Sequence, residues 1–510
     1  MKKQTLSLLL ILVLVLLCAC TPAQPPTAPA AEPEAAQTAA EVKHPDEPAE
    51  PDEPPVDEMP AKDAPERVLS SAYYTAELYT NTVRQYGCEV QSRKYIVSDG
   101  ATATGFRATG VGRTSIFFDR TITEAATIWY YDAAADEWIS NPLAEGTFTS
   151  PVVYIQTVSG QSYFLALPRT YTLLENDTKL YHPEHDGDVR VIPSGRGLRV
   201  VMQGYGLQEG RVCDALIVET PFAMLDWELT NCARMWIIYG KNGASQWCFD
   251  GYYRQSPHNY IPTGENYYYC CVASYTIKNF LAQMPRCSEA AALTILMLDT
   301  MVQRQNSYGY WATEPGSEWL QGDFGIGPGF YDTRFNTDLL EILITAERKF
   351  GSGMFTEAIT RYVGFYLQLA DATHISTQNG GWLIPDYWHA AELNAPHTSL
   401  NHQAAECLAL YHASDRLGRD DLRALADRLL KGIEDTGLQW VMDDHNLYYS
   451  RLPDGTYLTG DYPYLTYNDL YDLRKYLTGF GREPNETLSA LMDEKLQWMK
   501  RNGVSGYETD

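Results

Sequence analysis

Four breakers, Pro285, Gly351, Gly418 and Gly481, stand 66, 67 and 63 residues apart in the C-terminal half of a 510-residue chain. Each separates two runs with apolar residues at helical spacing. Tyr275–Gln283 precedes Pro285, and a second run resumes at Ser288, a helix-capping residue. The later pairs are Asp338–Phe350 with Phe355–Leu369, Leu400–Leu417 with Leu422–Ile433, and Asn468–Leu477 with Glu486–Met499. A fixed interval with weak identity marks a repeated supersecondary unit, here an αα-hairpin. Four in series either close into an α/α toroid or stack as a solenoid. The hairpin turns take three or four residues, whereas the connections between hairpins are long, at about 306–336, 373–397 and 438–466. If the turns sit at one end, all three connections meet at the other. Loops of that length in a compact domain are generally functional.

Upstream the periodicity changes. Val152–Val158 and Ser162–Leu167, Leu198–Met202, Ala215–Glu219, Met235–Tyr239 and Ser245–Phe249 read as strands, with Asn242-Gly243 a hairpin turn. Glu66–Tyr86 reads as a helix. The expected fold class is therefore α+β and multidomain: a mainly antiparallel β domain over 67–260, then an α/α toroid of about four hairpins over 265–510.

The N-terminus is of another kind. Met1-Lys2-Lys3 and the apolar run Leu6–Leu17 form a secretory signal too short to span a membrane. Leu17-Cys18-Ala19-Cys20 resembles a bacterial lipobox, which implies a lipid on Cys20, removal of 1–20, and a membrane-anchored protein on the extracytoplasmic face. Residues 21–66 hold 12 Pro, 11 Ala and 12 Asp+Glu without one Phe, Trp or Tyr. Such a segment cannot bury enough surface to fold, and serves as an extended disordered linker. The net charge of −26 excludes a basic nucleic-acid footprint. Eight cysteines follow the signal, at spacings that match no zinc pattern, and read as mostly buried thiols with one or two bridges.

The chain has 36 Tyr against 15 Phe, plus 11 Trp. Rings with a polar tip are favoured where one side is packed and the other meets a polar ligand. The three long connections carry Trp311, Trp319, Trp388 and Tyr449, together with the candidate substrate-binding residues Arg334, Tyr331, Trp382, Tyr387, His389 and Tyr464. Aromatic walls with a few charged groups suit a sugar chain. GxSxG, P-loop, GxGxxG and HExxH motifs are absent. His397 and His402 are five apart, off the spacing that aligns ligands on a helix face, so no metal is expected. Glu314, Glu318, Asp323 and Asp332 offer either a glycosidase carboxylate pair or solvated loop acids.

Tyr448-Tyr449-Ser450-Arg451, followed by Asp461-Tyr462 and Asn468-Asp469-Leu470 entering a helix, resembles the D-glucuronyl C5-epimerase family. Pro396-His397-Thr398-Ser399-Leu400-Asn401, opening another helix, is a third similarity. The resemblance covers about 265–500 and is densest over 396–470. It implies inversion at C5 of glucuronate within a polysaccharide, without a nicotinamide cofactor. Tyr448 and Tyr462 then match catalytic tyrosines and Arg451 the arginine of the first motif, with His397, Asn401, Tyr467 and Asn468 at the substrate. Proton removal α to a carboxylate needs that charge neutralised, which Arg451 or Arg334 offers bidentately. A tyrosine base, with an ordinary pKa of about 10, must be lowered towards neutrality by such a cation. The expected partner is thus a uronic-acid-containing polysaccharide, and a homodimer stays open. A lyase or glycosidase on the same toroid, or a non-catalytic glycan-binding lipoprotein, is the alternative.

Overall fold

In the computed structural model the described residues are 64–509, apart from 229, 238–244, 274, 284–289, 352, 392–393 and 482, together with the short strand Asp57–Glu58. The signal, Cys20 and nearly all of the linker lie outside them.

The β body is built on two antiparallel sheets, one of 14 strands and one of four. The strands at the centre of the large sheet are apolar at consecutive positions because both of its faces are covered. Val153, Ile155, Leu165 and Ile217 point to the small sheet, joining Val189, Val200 and Met202. The intervening Val152, Tyr154, Phe164, Leu216 and Val218 point the other way, onto helices. Thr75–Gln85 pairs with Cys88–Val97, and Arg67–Ser70 pairs with Thr75–Gln85. The helix expected over Glu66–Tyr86 is therefore two strands. Alternation decides it: Ala76 and Leu78 are buried in the core while their neighbours are not. Met235, expected in a strand, belongs to the helix Thr230–Trp236, whose Trp236 packs on Phe164 and Phe280. Cys232 is disulfide-bonded, and the six other described cysteines are buried thiols.

The hairpins are α1 (Tyr275–Gln283) with α2 (Ala290–Gln303), α3 (Thr333–Phe350) with α4 (Thr356–Thr373), α5 (Leu400–Leu417) with α6 (Asp420–Thr436), and α7 (Leu465–Gly479) with α8 (Glu486–Arg501). α2 is apolar on all sides and buried from Ala290 to Met301, because it lies between the hairpins and the large sheet. Helices α1, α3, α5 and α7 pack side by side in that order, with α4, α6 and α8 outside them. The row is curled: Arg334 on α3 donates to Asp469 on α7 at 2.6 Å, skipping α5, and Asp472 on α7 feels the charge of Lys278 on α1. That curvature favours the toroid over the solenoid. Among the described residues no helix is long and apolar enough to cross a membrane.

Candidate functional site

Short strands stitch the three long connections together. Ala312–Thr313 pairs with Phe330–Asp332, which pairs with Tyr387–Trp388. Thr398–Ser399 pairs with Tyr448–Arg451, which pairs with Tyr457–Gly460. The segment leaving the β body joins them, as Tyr260–Ile261 pairs with Gly316–Ser317. Each connection thereby contributes side chains to a single cluster.

At the bottom lies Asp386, whose side chain is fully buried. It accepts from Ser399 N at 2.7 Å and from Ser399 Oγ, and His397 Nε2 stands 3.1 Å from its Oδ2. His402 Nδ1 is 3.6 Å from the other oxygen. Burial alone would raise this carboxyl, but the two imidazoles and Ser399 outweigh it and hold it below the usual range. Burial pushes His402 down to about 4, so it is neutral at pH 7. Asp332, the N-cap of α3, accepts from Phe335 N at 3.0 Å. Burial and the nearby Asp386 charge raise it to about 7, against the pull of that N–H. Two neighbouring carboxyls therefore sit in different protonation states at neutral pH.

Rings cover them. Tyr449 meets His397 at 5.7 Å and Tyr462 at 5.3 Å, edge to face. Tyr387 meets His397 at 5.9 Å and Trp319 at 5.7 Å. Trp319 is 37 % exposed, and Tyr387, Tyr449 and Tyr462 are half-buried, so this layer faces outward over the acids. Tyr260, half-buried, feels the Asp332 charge from the β-body side. Burial, reinforced by the neighbouring phenols and carboxyls, drives Tyr387 and Tyr449 well above 10. These phenols are proton donors at pH 7, opposite to the lowered tyrosine expected of a base.

The remaining candidates fall elsewhere. Tyr448 packs on Tyr457 at 5.4 Å, and the Arg451 guanidinium lies over the same ring at 5.7 Å. Arg451 Nε and Nη1 are buried with no hydrogen-bond partner among the described residues. Arg334 is committed to Asp338 and Asp469. Tyr331 bonds Tyr362 at 2.9 Å within the helices, beside Glu406, which burial raises to about 8. Trp382 stacks on His374 at 3.7 Å, with Arg428 4.5 Å from its ring. His389 Nδ1 accepts from Ala391 N. Asn401 is buried, its Oδ1 without a partner among the described residues. Tyr464 is buried at the start of α7. Tyr467 packs on Tyr507, and Asn468 Oδ1 accepts from Glu508 N, so both hold the C-terminal segment. Of the four loop acids, Asp332 alone enters the cluster: Glu318 and Asp323 are exposed, and burial raises Glu314 apart from it.

Sequence reasoning passed over Asp386 and Tyr260. Asp386 stands in no recognisable motif, its partners His397, Ser399 and His402 following at the end of its own connection, and Tyr260 meets the Asp332 charge only in the folded chain. Among the described residues no group of three or more His, Cys, Asp or Glu is placed to hold a metal ion.

No family model and no curated protein matches the chain. Among solved structures it is similar to an unsaturated glucuronyl hydrolase from Bacillus sp. GL1 at 14 % identity, with 45 % of this chain and 67 % of that one covered and a TM-score of 0.30. A D-mannose isomerase matches at 15 %, covering 45 % and 59 %, with a TM-score of 0.33. A family 76 glycoside hydrolase from a bovine Bacteroides thetaiotaomicron strain matches at 11 %, covering 78 % and 75 %, with a TM-score of 0.34. The chain thus spans about three fifths to three quarters of these proteins' lengths. Likenesses of this size decide neither activity nor substrate.

Proposed function

We propose that the helical body is an acid–base enzyme acting on a uronic-acid-containing polysaccharide, and that its reaction is removal and return of the C5 proton of D-glucuronate. The observation that carries this is a pair of buried carboxyls, Asp332 and Asp386, with His397 on Asp386 and a half-exposed layer of phenols above it. A group titrating close to pH 7 is suited to exchange protons, and neutral phenols are suited to deliver them. Tyr449 and Tyr462 are the proton donors in this reading, and His397, oriented by Asp386, lies directly beneath. Arg451, on the strand that carries Tyr449 and with its Nε and Nη1 unmatched among the described residues, is the cation offered to the uronate carboxylate. The motif resemblance to C5-epimerases supports the same reaction. The sequence further supports a lipid at Cys20 that tethers the enzyme outside the cell.

A second reading, glycoside hydrolysis, is favoured by the same two carboxyls, because one acid kept protonated beside one ionised is also the hydrolase arrangement. Incubation with glucuronate polysaccharides in deuterated water separates them. Deuterium at C5 with chain length intact is the expected result, and iduronate signals identify inversion. New reducing ends mean hydrolysis and unsaturated ends a lyase. Binding without exchange or cleavage overturns the enzyme reading in favour of a glycan-binding protein.

A further inference from the structure

Lys495 on α8 is fully buried, yet α8 contributes no group to the cluster. Its ammonium donates to Asn446 Oδ1 and to Tyr462 O, each at 2.6 Å, and forms an ion pair with Asp461 Oδ2 at 2.8 Å. The acceptors belong to two separate segments. Asn446 leads into the strand carrying Tyr449, whereas Asp461 and Tyr462 lie beyond the next strand. The two segments are also joined by the pairing of Tyr448–Arg451 with Tyr457–Gly460, which Asp461 N extends by donating to Leu447 O at 2.9 Å; Lys495 ties their ends beyond that ladder. Asp461 is itself pinned, accepting from Thr466 Oγ1 at 2.6 Å at the start of α7. Burial pushes Lys495 down and Asp461 up, and their mutual attraction opposes both shifts.

A buried ion pair is a poor means of gaining stability, because apolar groups of the same volume serve as well or better. What such a pair supplies is fixed geometry. Here the geometry it fixes is the separation of two phenols, Tyr449 and Tyr462, whose rings meet edge to face at 5.3 Å.

We infer that Lys495 is a positioning residue: it clamps the Tyr449 and Tyr462 segments at the spacing that lets two phenols serve one substrate carbon. This rests on the acid–base reading above and adds the device that keeps its proton donors in register. The clamp lies behind the reacting groups, so its loss is expected to lower kcat while leaving KM for the polymer nearly unchanged.

The test compares the full chain with Lys495→Met/Asp461→Asn, which removes both charges together and leaves no unpaired buried ion. Arg199→Gln, which removes the surface Arg199–Asp119 pair of the β body, serves as the control. Amide hydrogen exchange of folded protein is expected to speed up at least about tenfold over 446–462 in the double variant and nowhere in the control. C5 deuterium incorporation is expected to fall about 100-fold in kcat with KM within about threefold, as displacement of reacting groups by about 1 Å produces. Unchanged protection and unchanged kcat would overturn the clamp. Equal losses in kcat and binding would overturn positioning in favour of a merely structural role. If the unaltered chain exchanges no proton on any uronate polymer, the functional reading and the positioning role both fail. The exchange arm then still reports whether Lys495 joins the two segments.

Discussion

The β body and the loop end of the helical body both bury charge, and they do so in opposite ways. In the β body Arg107 donates to both oxygens of Asp214 at 2.7 Å and reaches Asp250 at 3.0 Å. Fully buried Lys179 donates to Asp250 at 2.6 Å. Two cations face two anions. Burial would raise Asp250, but Lys179 and Arg107 hold it well below the usual carboxylate range. At the loop end Lys495 and Asp461 are matched, but around the clustered acids the account does not close. Among the described residues Asp332 has a backbone donor but no ion-pair partner and is left near neutrality, His402 is neutral, and Arg451 keeps two unmatched donors. Charge that is matched serves the fold, and charge left unmatched in a partly open aromatic layer is available to a substrate.

Four measurements would break or sharpen that contrast. The largest effect is expected at Asp332. Asp332→Asn should lower turnover by about 10²- to 10⁴-fold, as loss of a general acid–base does, with melting temperature held or raised. Turnover at the unaltered level would remove Asp332 from the chemistry. Lys179→Met is expected to cost about 3–5 kcal/mol in chemical denaturation, because it strands Asp250 without its closest cation. Turnover per folded molecule should not change, and a selective loss of turnover would erase the distinction between the two regions.

Third is the pH dependence of stability. Asp332 and Glu406 have folded pKa values of about 7 and about 8, above their unfolded values. Between the unfolded and folded pKa the native state binds more protons, so stability falls as pH rises. His402, lowered to about 4, works in the other direction, mainly below about 6.5, and offsets only about 0.4 kcal/mol above it. From pH 6.5 to 8 the unfolding free energy should therefore drop by about 2 kcal/mol, and Glu406→Gln should remove more than half of the drop. A flat profile over that interval would show that these acids are not buried as described. The smallest effect belongs to Arg199, paired with Asp119 on the surface with both side chains 40 % exposed. Arg199→Gln should change stability by less than about 1 kcal/mol, and a larger loss would mean that exposure is a poor guide to which charges matter here.

The helical hairpins were legible because their signal is local. Leu400–Leu417 was read to the residue from periodicity and the glycine that ends it, which sits at φ 66° as a left-handed C-cap. The strand at Thr75–Gln85 was misread because its polar face carries Glu77, Asn81 and Arg84, residues equally at home on a helix. The site was legible only in part. The connections were recognisable as unusual from their length and aromatic content, but Tyr448 and Tyr449 are indistinguishable in sequence. One packs on Tyr457 and the other on Tyr462 and His397. Trp382 looked like a binding platform, yet His374 and Arg428 already occupy its ring.

The sequence by itself determined the order of the two bodies, the repeat of hairpins and the end at which the long connections gather. Each of these follows from the spacing of apolar residues and breakers along the chain, which water and the backbone read without reference to distant residues. Only the tertiary structure decided which acid is protonated and which tyrosine faces outward. It also committed Arg334 while leaving Arg451 with unmatched donors. Those properties depend on what burial brings alongside a group. The partners of Lys495 stand 33 to 49 residues away, and Asp332 and Asp386 come from different connections that meet only in the folded chain.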